Sequence, residues 1–184
     1  MTHSKILGDL IDSAIAAKVH FDVWWAQASE AKPHLVAVMN EHSDFFLASY
    51  DAHYTAFFVN FAHLFDPRSD SSSIPTYFSS VQATADISAL AALEAEFAGL
   101  ASRARPLLKV RYKTVAHVEK RLTAKDVFAP LNITWNDVRD IIYESCEFVA
   151  KLASTPAGSL GIPRNRRLTE ATLNMIRALK GPGV

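Results

Sequence analysis

An arginine and a histidine stand six residues apart in the most basic stretch of the chain, residues 105–120. Arg111 and His117 are residue types that bind anions and exchange protons near neutral pH. Lysines and further arginines surround them, and such a patch can attract phosphate groups. The chemistry that this stretch could support is therefore anion binding combined with proton transfer.

The spacing of the stretch is that of a helix whose apolar surface is interrupted by charge. Pro106 suits the first turn of a helix, where its missing N–H costs nothing. One stripe consists of Leu108, Arg111, Val115, Val118 and Leu122, and its neighbour of Leu107, Val110, Thr114, His117 and Arg121. At about 100° per residue, Arg111 and His117 point about 120° apart. They flank a strip of surface that a second copy of the helix could close into one site.

Charge is unevenly distributed along the chain although the net charge is zero. Residues 1–102 hold four Lys or Arg against twelve Asp or Glu, whereas residues 103–125 hold eight against one. The basic segment could therefore bind phosphates even though the whole protein would not attract them. On charge alone, a solvated helix face explains the segment equally well.

Length and composition indicate one ordinary domain, with 184 residues of which 49% are hydrophobic. No run of eighteen apolar residues and no signal-peptide layout occurs, so we expect a cytoplasmic protein without a membrane span. Cys146 is the only cysteine, which excludes an internal disulfide. We assign residues 1–153 to a helical bundle and residues 154–184 to a basic linker with a short helix.

Helical periodicity without a convincing strand pattern predicts an all-α protein. Long helices are expected over residues 4–25, 43–65, 86–120 and 134–152, and short ones over 33–40, 74–78 and 169–180. The expected N-caps are Ser4, Ser43 or Asp44, Thr134 and Thr169, and Pro106 should kink or divide the third long helix. The short connections favour an antiparallel four-helix bundle with the aromatic second helix innermost.

Histidines on the first two long helices could bind a metal ion. His20, His53 and His63 could hold zinc or nickel. The chain lacks the Glu-x-x-His and His-Glu-x-x-His patterns, so ordinary core or surface histidines explain them better, and we expect no metal or other cofactor. Cys146 lies beside the apolar stripe of the last long helix, where a buried, inert thiol is expected.

The basic stretch resembles the arginine-then-histidine motif of the HEPN superfamily, in particular its abortive-infection AbiU branch. That branch has a proline and leucines, then Arg-Asn-Lys, two variable residues and Ala-His. The matching residues are Arg105-Pro106-Leu107-Leu108 and Arg111-Tyr112-Lys113-Thr114-Val115-Ala116-His117. More loosely, Phe61–Pro67 is similar to the end of a family helix at Leu-Thr-Asp-Pro, and Leu131–Thr134 to the Leu-Thr start of the next. The resemblance covers residues 6–153.

This resemblance implies a HEPN-like bundle and a metal-independent endoribonuclease that works at a homodimer interface. The toxin of an abortive-infection or toxin–antitoxin system is one such enzyme, with RNA and an antitoxin protein as partners and no specificity for DNA. Arg111 and His117 would be catalytic. The substrate-binding residues would be Lys109, Lys113, Thr114, Lys120 and Arg121.

Two other functions stay open at this point. Tyr112 stands where the branch has asparagine. This departure favours a non-catalytic HEPN-like bundle that binds RNA, a nucleotide or a partner protein. The third function is that of a metal-binding helical bundle that uses His20, His53 or His63.

Overall fold

The computed structural model describes residues 2–111, 133–155, 157–162 and 166–180, with only the backbone of Arg111 and Gly158. The helices are α1 (His3–Trp25), a π-helical turn (Ala26–Glu30), α2 (Pro33–Glu41), α3 (Ser43–Leu64), α4 (Ile74–Val81), α5 (Ile87–Arg111), α6 (Trp135–Leu152), a 3₁₀ turn (Ala157–Leu160) and α7 (Arg167–Ala178). No strand occurs in these residues. The expected all-α class is confirmed. None of the described helices is both long and apolar enough to cross a membrane.

The four long helices α1, α3, α5 and α6 form the expected antiparallel bundle. Along each contacting pair, residue numbers rise on one helix as they fall on the other. The contacts are Phe21–Phe57 and Trp24–Tyr50 between α1 and α3, Ala14–Cys146 and Asp22–Tyr143 between α1 and α6, and Glu96–Lys151 and Arg103–Glu144 between α5 and α6. Phe65, which follows α3, stacks on Phe97 of α5 and completes the ring of helices.

The innermost helix is α1, and the expectation that α3 would be innermost was wrong. Helix α1 packs against α3, α4, α6 and α7, and it buries side chains along its whole length from Ile6 to Trp25. The first turns of α3 lie at the edge of the bundle, where Phe45 is 61% exposed and Leu47 is 66% exposed. Aromatic residues on several sides of a helix therefore did not indicate burial on all of those sides.

The start of α6 lies where the sequence predicted it, at a complete capping pair. Thr134 caps α6, because its hydroxyl accepts from the Asp137 N–H at 3.2 Å and the Asp137 carboxylate accepts from the Thr134 N–H at 2.8 Å. The other expected caps were wrong. Thr2 rather than Ser4 caps α1, and His42 rather than Ser43 or Asp44 precedes α3. Helix α7 begins at Arg167, so Thr169 lies inside that helix and is buried.

Pro106 lies deep inside α5, which runs unbroken from Ile87 to Arg111. The expectations that it occupies a first turn or divides the helix were both wrong. A proline in a helix interior costs about 3 kcal/mol. Ala104 and Leu107 on either side of it are fully buried. Since burying one leucine side chain contributes about 1.5–3 kcal/mol, core packing offsets the proline and keeps the helix continuous.

Helix α7 packs on α1, α2 and the π-helical turn. Its Leu173 and Ile176 form a second, smaller apolar cluster with side chains of the π-helical turn, α2 and α3, namely Ala26, Leu35, Val38 and Phe46. Arg166, just before α7, makes an ion pair with Glu30 at 2.9 Å. Residues 154–184 were expected to form a linker and a short helix, and the boundary at residue 153 stays a prediction.

Candidate functional site

The structure describes only the beginning of the predicted catalytic motif. Arg111 is the last described residue of α5, and Lys109 lies exposed one half-turn before it. The other predicted site residues lie outside the described residues: Lys113, Thr114, His117, Lys120 and Arg121. Their convergence on one site therefore stays a prediction.

The end of α5 that leads to the motif is fixed by the core. Ala104, Leu107 and Val110 have no exposed surface and belong to the main apolar cluster. The backbone of Arg111 directly follows the buried Val110 in the same helix. The first residue of the motif thus lies on a helix that packs against the core rather than on a loop, a placement that favours a precise site.

Cations on the described part of α5 fall into two groups. The Arg103 guanidinium donates to both carboxylate oxygens of Glu144, at 2.5 and 3.0 Å, so its charge is neutralised by α6. Arg105 and Lys109 are exposed and make no ion pair within the residues that the structure describes. They lie one helical turn apart and are available to bind an anion.

The three histidines of the metal alternative do not come together. His20 of α1 and His53 of α3 are in direct contact, with their Nδ1 atoms 2.8 Å apart. His63 is exposed, and it lies ten residues, or about 15 Å, further along α3 than His53. The described residues contain no cluster of three or more His, Cys, Asp or Glu side chains that could hold a metal. A three-histidine site is therefore not formed.

A buried ion pair on α1 is the feature that the sequence did not reveal. Lys18 Nζ lies 2.7 Å from Asp22 Oδ2, and the two side chains are 4% and 0% exposed. Tyr143 of α6 donates its hydroxyl to Asp22 Oδ1 at 2.6 Å, and its ring lies 3.8 Å from Lys18 Nζ. Burial raises the pKa of Asp22 and, together with the Asp22 charge, that of Tyr143. The only sequence signal was the Lys–Asp spacing of four, which exposed helix pairs share.

A groove of about 940 Å³ lies beside this ion pair, between α5 and α6. Lys18, Leu100, Tyr143 and Cys146 are among its lining residues, and the Arg103–Glu144 and Glu96–Lys151 pairs connect the two helices across it. Cys146 is fully buried, and burial raises the pKa of its thiol to about 12. The expected burial of this cysteine is confirmed, and a raised thiol pKa agrees with the expectation that it is inert.

Comparison with known proteins gives a family for most of the chain. A model of the HEPN type described as AbiU2 matches residues 4–164. The matched range includes Arg111 and His117 and the helices from α1 to α6. No curated protein and no solved structure matches the chain.

Proposed function

The chain belongs to the AbiU2 family of HEPN proteins, and from this membership we propose that it is a metal-independent endoribonuclease. The observation that carries the proposal is the range of the family match, because residues 4–164 include both Arg111 and His117. The packed end of α5 supports it, since Leu107 and Val110 fix the backbone from which the motif begins.

The reaction needs one proton acceptor and one group that stabilises negative charge. His117 in its neutral form removes the proton of a ribose 2′-hydroxyl. The 2′-oxygen forms a bond to the adjacent phosphorus, and the bond from phosphorus to the 5′-oxygen breaks. An imidazolium protonates the leaving 5′-oxygen, and the products are a 2′,3′-cyclic phosphate and a 5′-hydroxyl. Arg111 stabilises the charge that develops on the phosphorane oxygens.

A homodimer would supply these groups twice at one groove. Arg111 and His117 of each subunit would face the same strip, with Lys113 and Thr114 beside them. Lys109, Lys120 and Arg121 would bind backbone phosphates, and Lys109 is exposed and without an ion pair in the described part of the chain. DNA has no 2′-hydroxyl and would not be cleaved.

In a cell, such an activity fits a toxin of an abortive-infection or toxin–antitoxin system that acts in the cytoplasm. An antitoxin protein would then restrain the enzyme. Family membership is the support for this role.

The test is cleavage of a labelled single-stranded RNA by the wild-type protein, His117→Ala and the control His63→Ala. His63 is exposed and lies on another helix, so its loss should leave cleavage unchanged. We expect cyclic-phosphate products, equal rates with and without EDTA, and a loss of at least about 100-fold in His117→Ala. Cleavage that stops with EDTA, or that persists in His117→Ala, would contradict the proposal.

The second candidate is a non-catalytic HEPN bundle that binds RNA, a nucleotide or a partner protein. Tyr112 favours it, because the AbiU branch has asparagine at this position. RNA binding without any cleavage by the wild-type protein would select this candidate. Restoration of cleavage by Tyr112→Asn would then identify the lost asparagine as the reason.

A further inference from the structure

The cations that precede the motif lie on two different sides of α5. At about 100° per residue, Arg105 points about 160° away from Arg103, whereas Lys109 points within about 40° of Arg105. Leu107 also points about 160° away from Arg105, and it is fully buried in the core. Arg105 and Lys109 therefore share the outer face of α5, which is turned away from the bundle.

Carboxylates of α6 occupy the side of α5 that carries Arg103. The Arg103 guanidinium donates to both carboxylate oxygens of Glu144. This hydrogen bonding raises the pKa of Arg103 most, and the charges of Asp140 and Asp137 raise it further. The same acidic groups balance the Arg103 charge, and they would repel a nucleic-acid backbone from this side of the helix.

The outer face of α5 has the opposite charge and is open. Arg105 and Lys109 are exposed and form no ion pair in the described part of the chain. Ser102 and Ala98, one and two turns earlier on this face, are exposed and small, so no large side chain of theirs covers the approach. Arg105 and Lys109 lie about 6 Å apart along the helix axis. This step is similar to the distance between successive phosphates of an extended single strand, so each cation can pair with its own phosphate.

Glu94 limits the basic part of the outer face. It lies three turns before Arg105 on the same face, is exposed, and forms no ion pair among the residues that the structure describes. Its carboxylate would repel a phosphate. The part of α5 that can attract a nucleic-acid backbone therefore extends over residues 102–109. In the other direction the helix leads directly to Arg111, the first residue of the motif.

We propose that the outer face of α5 over residues 102–109 is a phosphate track, on which Arg105 and Lys109 each bind one phosphate of a single-stranded RNA beside the motif. The track rests on the proposed endoribonuclease function and adds Arg105 to its substrate-binding residues. Contacts with phosphates position a strand without reading its bases. The track therefore contributes affinity that is independent of sequence, and it directs the RNA along the side of α5 that is away from the α6 carboxylates.

The experiment measures binding of a fluorescent 2′-O-methyl oligouridine to the full chain by fluorescence anisotropy over a range of salt concentrations. For single strands, the logarithm of the affinity falls with the logarithm of the salt concentration by about 0.7 per phosphate contact. Arg105→Ala and Lys109→Ala should each reduce this slope by about 0.7 and weaken binding at least about threefold at low salt. Arg105→Lys should keep the slope. The matched control Arg103→Ala removes the same charge from the same helix and should leave the slope unchanged, because Glu144 already neutralises Arg103.

Three results would overturn the track: an unchanged slope in Arg105→Ala, an equal loss of slope in Arg103→Ala, or no binding of the oligonucleotide by the wild-type chain. Arg105 and Lys109 are both exposed, so each variant should fold, which thermal unfolding verifies. If one variant failed to fold, the slope of the other would decide.

The probe has no free 2′-hydroxyl and cannot be cleaved, so the track and the nuclease fail separately. Reduced slopes without any cleavage of RNA would keep the track and remove the nuclease. Cleavage that needs His117, together with unchanged slopes, would remove the track and keep the nuclease. If both hold, Arg105→Ala should raise KM for RNA and leave kcat unchanged, because the phosphate contact is the same in the ground state and the transition state.

Discussion

Asp22 has no exposed surface, and both of its carboxylate oxygens are hydrogen-bonded. A charge in such a place is tolerated only when partners replace the lost water. Lys18 supplies the opposite charge and Tyr143 supplies a hydroxyl donor. Since these partners come from α1 and α6, the cluster fixes how the two helices align.

Removing the Asp22 carboxylate should lower the free energy of unfolding more than removing the Tyr143 hydroxyl. Asp22→Ala leaves the buried Lys18 ammonium without its counter-ion, and we expect a loss of about 3–5 kcal/mol in the free energy of unfolding. Tyr143→Phe keeps the ion pair and the ring, and should cost about 1–3 kcal/mol. Urea unfolding of both variants measures the difference. Equal losses, or a loss below about 1 kcal/mol for Asp22→Ala, would show that the charge is not held as described.

At the scale of one element, α5 combines a stable core contact with an unfavourable residue. Pro106 cannot donate to the carbonyl of Ser102 and crowds the preceding turn, yet the helix continues to Arg111. The helix is held by its buried stripe rather than by its own propensity. Without these core contacts, we expect the residues around Pro106 to be poorly helical.

Pro106→Ala should stabilise the protein by about 1–3 kcal/mol, because it restores a helical hydrogen bond and removes the clash. Pro75→Ala is the matched control. Pro75 lies in the first turn of α4, where proline is favourable, so its replacement should give no gain. Thermal unfolding compares the two. A gain from both variants, or from neither, would contradict this account of α5.

For the whole molecule, the question is whether the C-terminal residues belong to the bundle's cooperative unit. Helix α7 contributes Ile176 and Leu173 to an apolar cluster with α2, α3 and the π-helical turn. Thr169 also donates to the backbone carbonyl of Asp22, at 3.5 Å. The Thr169 hydrogen bond connects α7 to α1 close to the buried ion pair.

Ile176→Ala should lower the stability of the whole protein by about 2–5 kcal/mol in a single transition, because it opens a cavity at a fully buried position. Met175→Ala, beside it and 44% exposed, should change stability by less than about 1 kcal/mol. Denaturant unfolding followed by tryptophan fluorescence gives both values, since Trp24 and Trp25 lie in α1. An unchanged main transition in Ile176→Ala would mean that residues 154–184 form a separate unit.

Local patterns in the sequence were enough to predict the main helices and the family. Helical periodicity and a complete capping pair such as Thr134 with Asp137 depend on residues a few positions apart. The arginine-to-histidine spacing and the residues around it likewise pointed to the HEPN family that the match over residues 4–164 shows. The candidate catalytic pair was named from the sequence alone, and its geometry stays a prediction.

Burial, the continuity of α5 and the long-range hydrogen bonds depend on residues far apart in the chain, so only the tertiary structure decided them. Phe45 is as apolar as Phe57, yet only packing left one exposed and the other buried. Pro106 became a helix-interior residue because distant core contacts outweigh its local cost. Tyr143, the hydroxyl donor to Asp22, lies 121 residues away from it, and the partner of His20 lies 33 residues away. Neither distance could be read from local spacing, because the antiparallel alignment of whole helices brings these groups together.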